Sequence, residues 1–334
     1  MKIFLHNDSV KLENGAELPG LEIAYHTYGE MNADKSNVVW ICHALTANSD
    51  AEDWWEGLVG DGKLMDPSKY FIVCANILGS CYGSSGPMTN DPSTGEPYYS
   101  GFPDVTIRDM VNAHELLRVH LGVDKIWLGL GGSMGGYQIL EWACSQNNLI
   151  ENMVLLVTGA KESAWAIAVH EAQRLAIEAD NTWRDHNKEA GRDGLIAARG
   201  IGMLTYRNYE TYVAVQSDDE EKLDDFKAAS YIKYQGNKLA DRFNAYVYWL
   251  LTKSMDSHNL GRGRGGIEKA LTGVTAPALV IGIESDILCP VEEQKKLAAA
   301  LPNGSYIEIK SGYGHDGFLI ESDAIHAAIN AFLS

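Results

Sequence analysis

The 334 residues carry 27 lysines and arginines against 45 aspartates and glutamates, a formal net charge of -18. That balance argues against sequence-independent binding to nucleic acid or to an anionic membrane, so a phosphorylated ligand would need a local basic patch. The 46% hydrophobic and 22% charged content is ordinary for a globular chain, no run approaches the roughly 18 apolar residues of a membrane span, and at about 150 residues per domain the length allows two domains or one large α/β unit with an insertion.

Asn7 and Asp8 follow the start too closely for a secretory h-region, which predicts a cytoplasmic protein. Short runs rich in β-branched and aromatic residues predict buried strands at 38–42, 70–75, 125–130, 153–157 and 278–283, with a shorter one at 306–309. A helix opens at Thr106 and continues through Met110, Val111, His114, Leu117 and Leu121 at helical spacing; Ile325, Ala328, Ile329, Phe332 and Leu333 mark a closing helix. Strands alternating with helices imply an α/β fold with a mainly parallel sheet flanked by helices. From Glu162 to His258 the sequence is helix-like, charged and aromatic with no convincing strand. This reads as an inserted helical lid, dividing the chain into core 1–161, lid 162–258 and core 259–334. Within it Asp218, Asp219, Glu220 and Glu221 read as a solvated acidic face. Cys42, Cys74, Cys81, Cys144 and Cys289 form no C-x-x-C pair and are odd in number, so reduced thiols are expected.

The strongest local signal is Gly131-Gly132-Ser133-Met134-Gly135-Gly136, which satisfies G-x-S-x-G between a strand and a helix. A sharp elbow needs positions without bulky side chains on both sides of the serine, and it exposes the hydroxyl at a positive helix end. A hydroxyl is a weak nucleophile at neutral pH, so a base and an orienting carboxylate are required; the α/β-hydrolase fold supplies them in the order Ser, Asp, His. Asp286, just past the strand at 278–283, is the candidate carboxylate, with Glu284 its rival. His315, in Gly312-Tyr313-Gly314-His315-Asp316-Gly317, is the candidate base. His43 precedes the serine and so falls in the wrong order for that role. It reads as a structural residue holding the loop so that the Leu45 N–H, with that of Met134, forms an oxyanion hole.

Residues 261–266 contain a formal G-x-G-x-x-G, but Met255 to Leu260 before it is not a strand, so a dinucleotide site is not expected. Arg262 and Arg264 remain candidates for a phosphate contact. Neither the cysteine spacing nor any His-Glu-x-x-His implies a metal.

The chain resembles the homoserine O-acetyltransferases over nearly its whole length. The matching segments are His43-Ala44-Leu45-Thr46, the stretch from Ala75 to Pro87, Thr106 to Met110, the elbow continuing through Gln138 to Ala143, Met203-Leu204-Thr205-Tyr206-Arg207, Tyr234 to Lys238, Ser285-Asp286 and Gly314 to Leu319. The resemblance implies a two-step reaction in methionine synthesis. Ser133 takes the acetyl group of acetyl-CoA, a substrate, no permanently bound cofactor being implied, and the hydroxyl of L-homoserine takes it from the serine. It implies that Asp316 holds the homoserine ammonium, that Arg207 holds its carboxylate, and that two copies pair through the lid. Tyr231, Tyr234, Tyr246, Tyr248 and Trp249 could equally be lid core or subunit contact. The family's usual Gly-Gly-Cys-Tyr-Gly-Ser-Thr-Gly-Pro is here 79–87 with Ser80 and Ser85, and its usual Ala-Met-Asp is Ser254-Met255-Asp256. Tyr82 is similar to the acetyl-using members. Succinyl transfer, serine as acceptor, or plain ester hydrolysis on the same triad remain alternatives, because small pocket differences shift specificity by only about 1 to 3 kcal/mol.

Overall fold

A computed structural model describes residues 1–219 and 221–334, so Glu220 of the acidic run lies outside the described residues. In chain order the elements are β1 (Lys2–His6), β2 (Val10–Lys11), β3 (Glu17–Leu18), β4 (Leu21–Tyr28), β5 (Val38–Cys42), α1 (Ala51–Trp54), β6 (Phe71–Ala75), α2 (Ile107–His120), β7 (Ile126–Gly132), α3 (Met134–Ser145) and β8 (Ile150–Leu156). Among the described residues five helices follow without a strand: α4 (Ala164–Glu178), α5 (Arg192–Tyr206), α6 (Tyr209–Gln216), α7 (Lys227–Ala240) and α8 (Ala245–Asp256). The chain then completes α9 (Ile267–Thr272), β9 (Ala278–Ile283), α10 (Val291–Ala300), β10 (Gly304–Ile309), α11 (Gly317–Ile320) and α12 (Ser322–Leu333). Among the described residues no helix is long and apolar enough to cross a membrane.

Eight strands form one sheet in the order β1-β4-β6-β5-β7-β8-β9-β10. From β6 to β10 every pairing is parallel, while β4 lies antiparallel against β6 and β1 antiparallel against β4. The six parallel strands are those the sequence pattern indicates. The antiparallel pair is not among them: the apolar run of β1, Ile3 to Leu5, is short, and of it only Phe4 is buried. The central strands are covered on both faces. In β5, Val38, Trp40 and Cys42 enter one apolar cluster with Met110 of α2 and Ile139 of α3, whereas Val39 and Ile41 enter another with Ile325 and Ile329 of α12. That period of two places helices on each side.

α2 starts where the sequence marks it. The Thr106 hydroxyl accepts from the Asp109 N–H at 3.3 Å, and the Asp109 carboxylate accepts from the Thr106 N–H at 2.9 Å. This capping box satisfies two otherwise orphaned donors. The helical block between β8 and β9 leaves and rejoins the sheet side by side: Lys161 and Asn259 form an isolated bridge, and the Glu162 N–H donates to the His258 carbonyl at 3.0 Å. The aromatic residues of that block divide. Tyr246 and Tyr248 are buried, whereas Tyr234 is 59% exposed. In the acidic run, Asp218 pairs with Lys222 at 2.8 Å and accepts from the Lys227 N–H at the start of α7, a local structural role.

Residues 261–266 form turns after α8, and their arginines are committed to carboxylates. Arg262 pairs with Glu13 at 2.9 Å, and Arg264 with Glu141 of α3 at 2.5 Å. Arg108 joins the same carboxylates at 2.7 and 2.8 Å. The phosphate contact considered for Arg262 and Arg264 is therefore corrected: both guanidiniums are consumed in stitching this turn to the N-terminal segment, α2 and α3. Glu141 is the buried hub, and its removal leaves two cations facing each other. Glu141→Ala is predicted to lower stability in urea unfolding by about 2–3 kcal/mol, below the full cost of a broken buried pair because both arginines retain solvent contact.

Candidate active site

β7 runs through Gly132 and α3 begins at Met134, leaving Ser133 alone at the corner. Its φ of 54° and ψ of -126° lie where a residue with a Cβ is strained by about 1–3 kcal/mol. Surrounding bonds fix this conformation. The Ser133 N–H donates to the Leu156 carbonyl at 2.9 Å, and the Ser133 carbonyl accepts from the Gly136 N–H and the Thr158 hydroxyl, both at 2.9 Å. The flanking glycines answer to close approach: a Cβ on Gly131 would collide with the Gly135 backbone, and one on Gly135 with the Cys42 carbonyl.

His315, 182 residues later, brings Nε2 to 3.0 Å from Ser133 Oγ and Nδ1 to 2.7 Å from Asp286 Oδ2. The other Asp286 oxygen accepts from the N–H groups of Leu288 and Cys289 at 2.8 and 2.9 Å. All three side chains are buried, while Glu284 is exposed and outside the line. Ser285 pins the histidine loop by donating to the Ser311 carbonyl at 2.5 Å and accepting from the Gly314 N–H at 3.0 Å. Gly314 has φ +63°, and a Cβ there would meet the Tyr206 carbonyl at 2.7 Å. Tyr206 and Phe318 flank the imidazole at ring distances of 5.8 and 5.7 Å. Burial alone would lower the His315 pKa, but the charge of Asp286 and its hydrogen bond outweigh it and raise the value above 6.5. Cys289 also lies near Asp286 and His315. Burial holds its thiol protonated and both imidazole nitrogens are engaged, so this trio gives no case for a metal.

His43 lies behind the elbow. Its Nδ1 is 2.9 Å from the Ala44 carbonyl, its Nε2 accepts from the Ile77 N–H at 3.2 Å, and its carbonyl accepts from Gln138 at 3.2 Å. Burial pushes its pKa down to about 4, so it stays neutral, donating through Nδ1 and accepting through Nε2. Gln138 also donates to the Met134 carbonyl at 3.1 Å, tying loop and elbow together. Among the described residues neither the Leu45 nor the Met134 N–H donates to a protein acceptor. The pair can thus serve an oxyanion beside Ser133.

Ser133 and His315 open into a cleft of about 540 Å³, lined also by Ala44, Leu45, Thr46, Trp54, Tyr206 and Phe318. Its charged lining is Arg199, Arg207, Lys238 and Arg242 against Asp53 and Asp316. Four cations facing two carboxylates make a positive cleft in an acidic protein. Arg207 and Asp316, expected to hold opposite ends of one molecule, here pair with each other at 3.3 Å.

A family model described as the alpha/beta hydrolase fold matches residues 37–322. A homoserine O-acetyltransferase of Cyclobacterium marinum is 49% identical over 99% of this chain and 94% of its own length. The chain belongs to the homoserine O-acetyltransferase family. Among solved structures, the homoserine O-acetyltransferase of Staphylococcus aureus superposes with a TM-score of 0.84 at 28% identity, covering all of this chain and 94% of that one. Esterase E22 reaches 0.92 at 23% identity, covering all of this chain and 99% of that one, a likeness of fold.

Against the family pattern, the three serines that depart from it stay out of the cleft. Ser80 accepts from the Tyr82 N–H at 3.2 Å, Ser85 from the Glu22 N–H at 2.8 Å, and Ser254 donates within α8 to the Leu250 carbonyl at 3.0 Å. Tyr82 instead reaches the cleft margin, where its hydroxyl accepts from Arg242 at 2.5 Å. Sequence reasoning passed over Arg199, Lys238, Arg242, Trp54 and Phe318. Only Lys238 and Phe318 fell within family-like segments; for the others no motif stood out.

If His315 takes the Ser133 proton, activity needs neutral imidazole, so it falls as pH drops through the His315 pKa. The acid limb of kcat/KM for the acyl donor is predicted to have its midpoint above 6.5. Asp286→Asn should move that limb to lower pH and reduce kcat by on the order of 10⁴-fold, measured across a pH series.

Proposed function

We propose that the chain transfers the acetyl group of acetyl-CoA to the side-chain hydroxyl of L-homoserine through an acetyl-Ser133 intermediate, an early step of methionine synthesis. The observation that carries this reading is the hydrogen-bonded line Ser133–His315–Asp286 opening into a cleft with surplus positive charge. In the first half-reaction Ser133 Oγ attacks the thioester carbonyl as His315 Nε2 takes its proton. The Leu45 and Met134 N–H groups receive the oxyanion, and the sulfur leaves with that proton as the free thiol. In the second, His315 deprotonates the homoserine hydroxyl, which attacks the acetyl-serine carbonyl; the proton returns to Ser133 as O-acetylhomoserine departs. Asp286 fixes the imidazole tautomer and stabilises its charged form. Asp316 would exchange its Arg207 partner for the acceptor's ammonium, freeing Arg207 for the carboxylate.

We read residues 162–258 as a lid that limits water at the acetyl-serine, since α5 and α7 supply Arg199 and Lys238 and the turns after them Arg207 and Arg242. The same block leaves Tyr209 79% and Leu204 62% exposed, which supports pairing of two copies through it. Five free cysteines suit a reducing cytoplasm.

With acetyl-CoA supplied, steady thiol release should rise with added homoserine, and Ser133→Ala should lower it by on the order of 10⁴-fold or more while leaving the fold intact. Release indifferent to homoserine, with fast ester cleavage, would identify a hydrolase instead. Tyr209→Asp with Leu204→Asp is expected to sediment as a monomer where the unaltered protein sediments as a dimer.

A further inference from the structure

Of the ten arginines, Arg108, Arg118, Arg174, Arg192, Arg207, Arg262 and Arg264 are paired with carboxylates. Among the described residues Arg184, Arg199 and Arg242 are not, and two of these three line the cleft. Arg242 is exposed and satisfied by neutral oxygens, donating to the Thr46 carbonyl at 2.6 Å and the Tyr82 hydroxyl at 2.5 Å. Arg199 differs. Its Nε is buried with no hydrogen-bond partner among the described residues, and its guanidinium lies 5.3 Å from the centre of the Tyr206 ring. Tyr206 itself tilts over His315, so this cation stands on the catalytic side of the cleft, within electrostatic reach of Asp316.

We propose that Arg199 is a second anchor for the α-carboxylate of the amino-acid acceptor, sharing it with Arg207 while Asp316 takes the ammonium. The assignment rests on the proposed acyl transfer to an amino-acid alcohol. A carboxylate offers about four acceptor sites, and one guanidinium fork fills two of them. The charges point the same way. Arg199 and Arg207 bring two positive charges to one carboxylate, Asp316, and Asp316 pairs with Arg207, which leaves the Arg199 charge to a ligand anion. Position decides which anion. Lys238 and Arg242 are exposed at the rim and suit the donor's phosphates, whereas Arg199 is partly buried beside the ring that flanks His315.

The test compares L-homoserine with 3-aminopropan-1-ol, which keeps the hydroxyl and ammonium and lacks the carboxylate. In Arg199→Met the ratio of kcat/KM for homoserine to that for the amino alcohol should fall by about 10- to 100-fold, the range of a charge-assisted hydrogen bond. Being a ratio within one variant, it is insensitive to partial loss of folded enzyme. Arg199→Lys, which keeps the charge over Tyr206 without the fork, should show a smaller fall and decides the matter if the Met variant does not fold. An unchanged ratio in the folded variant overturns the assignment, as does a loss confined to kcat/KM for acetyl-CoA, which would place Arg199 on the donor. If thiol release by the unaltered enzyme ignores both acceptors, acetyl transfer itself fails, a result distinct from an unchanged ratio.

Discussion

The site depends on one hydrogen bond, from His315 Nδ1 to Asp286 at 2.7 Å. It sets the tautomer that turns Nε2 into an acceptor for the Ser133 hydroxyl, and it keeps a buried imidazole basic where burial alone would make it a poor base. Much of the surrounding structure serves that bond. Two backbone N–H groups hold the far oxygen of Asp286, Ser285 clamps the loop carrying the histidine, and Tyr206 and Phe318 stand beside its ring. The aspartate follows β9 and the histidine follows β10, adjacent parallel strands paired over their full length. Their C-terminal ends therefore deliver both residues to the same edge of the sheet as the elbow after β7.

Charge is distributed to the same end. The chain is strongly acidic, yet its cleft carries twice as many cations as carboxylates. Such a cleft in a low-dielectric wall concentrates anions locally while the outer surface repels polyanions. Other buried titratable groups are kept from interfering. Burial pushes His43, His114 and His258 down to about 4, so three histidines near the core stay neutral and act as fixed hydrogen-bonding parts.

The same fold is found in an esterase and in homoserine O-acetyltransferases. A serine, histidine and aspartate in this arrangement can form an acyl-serine in either case, and the fate of that acyl group depends on which hydroxyl reaches it. On the proposed reading, that choice belongs to the helices between β8 and β9, which bring Arg199, Arg207, Lys238 and Arg242 over a serine positioned by the sheet. On that reading the chemistry is built into the strand ends, and selection of the acceptor into the cover.

The six parallel strands, the opening of α2 at Thr106, the elbow and the order Ser133, Asp286, His315 were all legible in the sequence. Each is written in local signals: continuous apolar runs, a Thr-x-x-Asp start, glycines that the Cys42 carbonyl and the Gly135 backbone require. The antiparallel strands β1, at the edge, and β4, between it and β6, were not, because short exposed or mixed segments leave only a weak pattern. Nor were the carboxylate partners of Arg262 and Arg264, the pairing of Arg207 with Asp316, or the solitary position of Arg199. Local sequence determines which backbone each segment adopts and which residue types its turns can hold. Whether a charged side chain meets a carboxylate, an aromatic ring or an open cleft is decided only by elements far apart in the chain, since an ion pair over a few ångströms leaves no trace in the spacing of its partners.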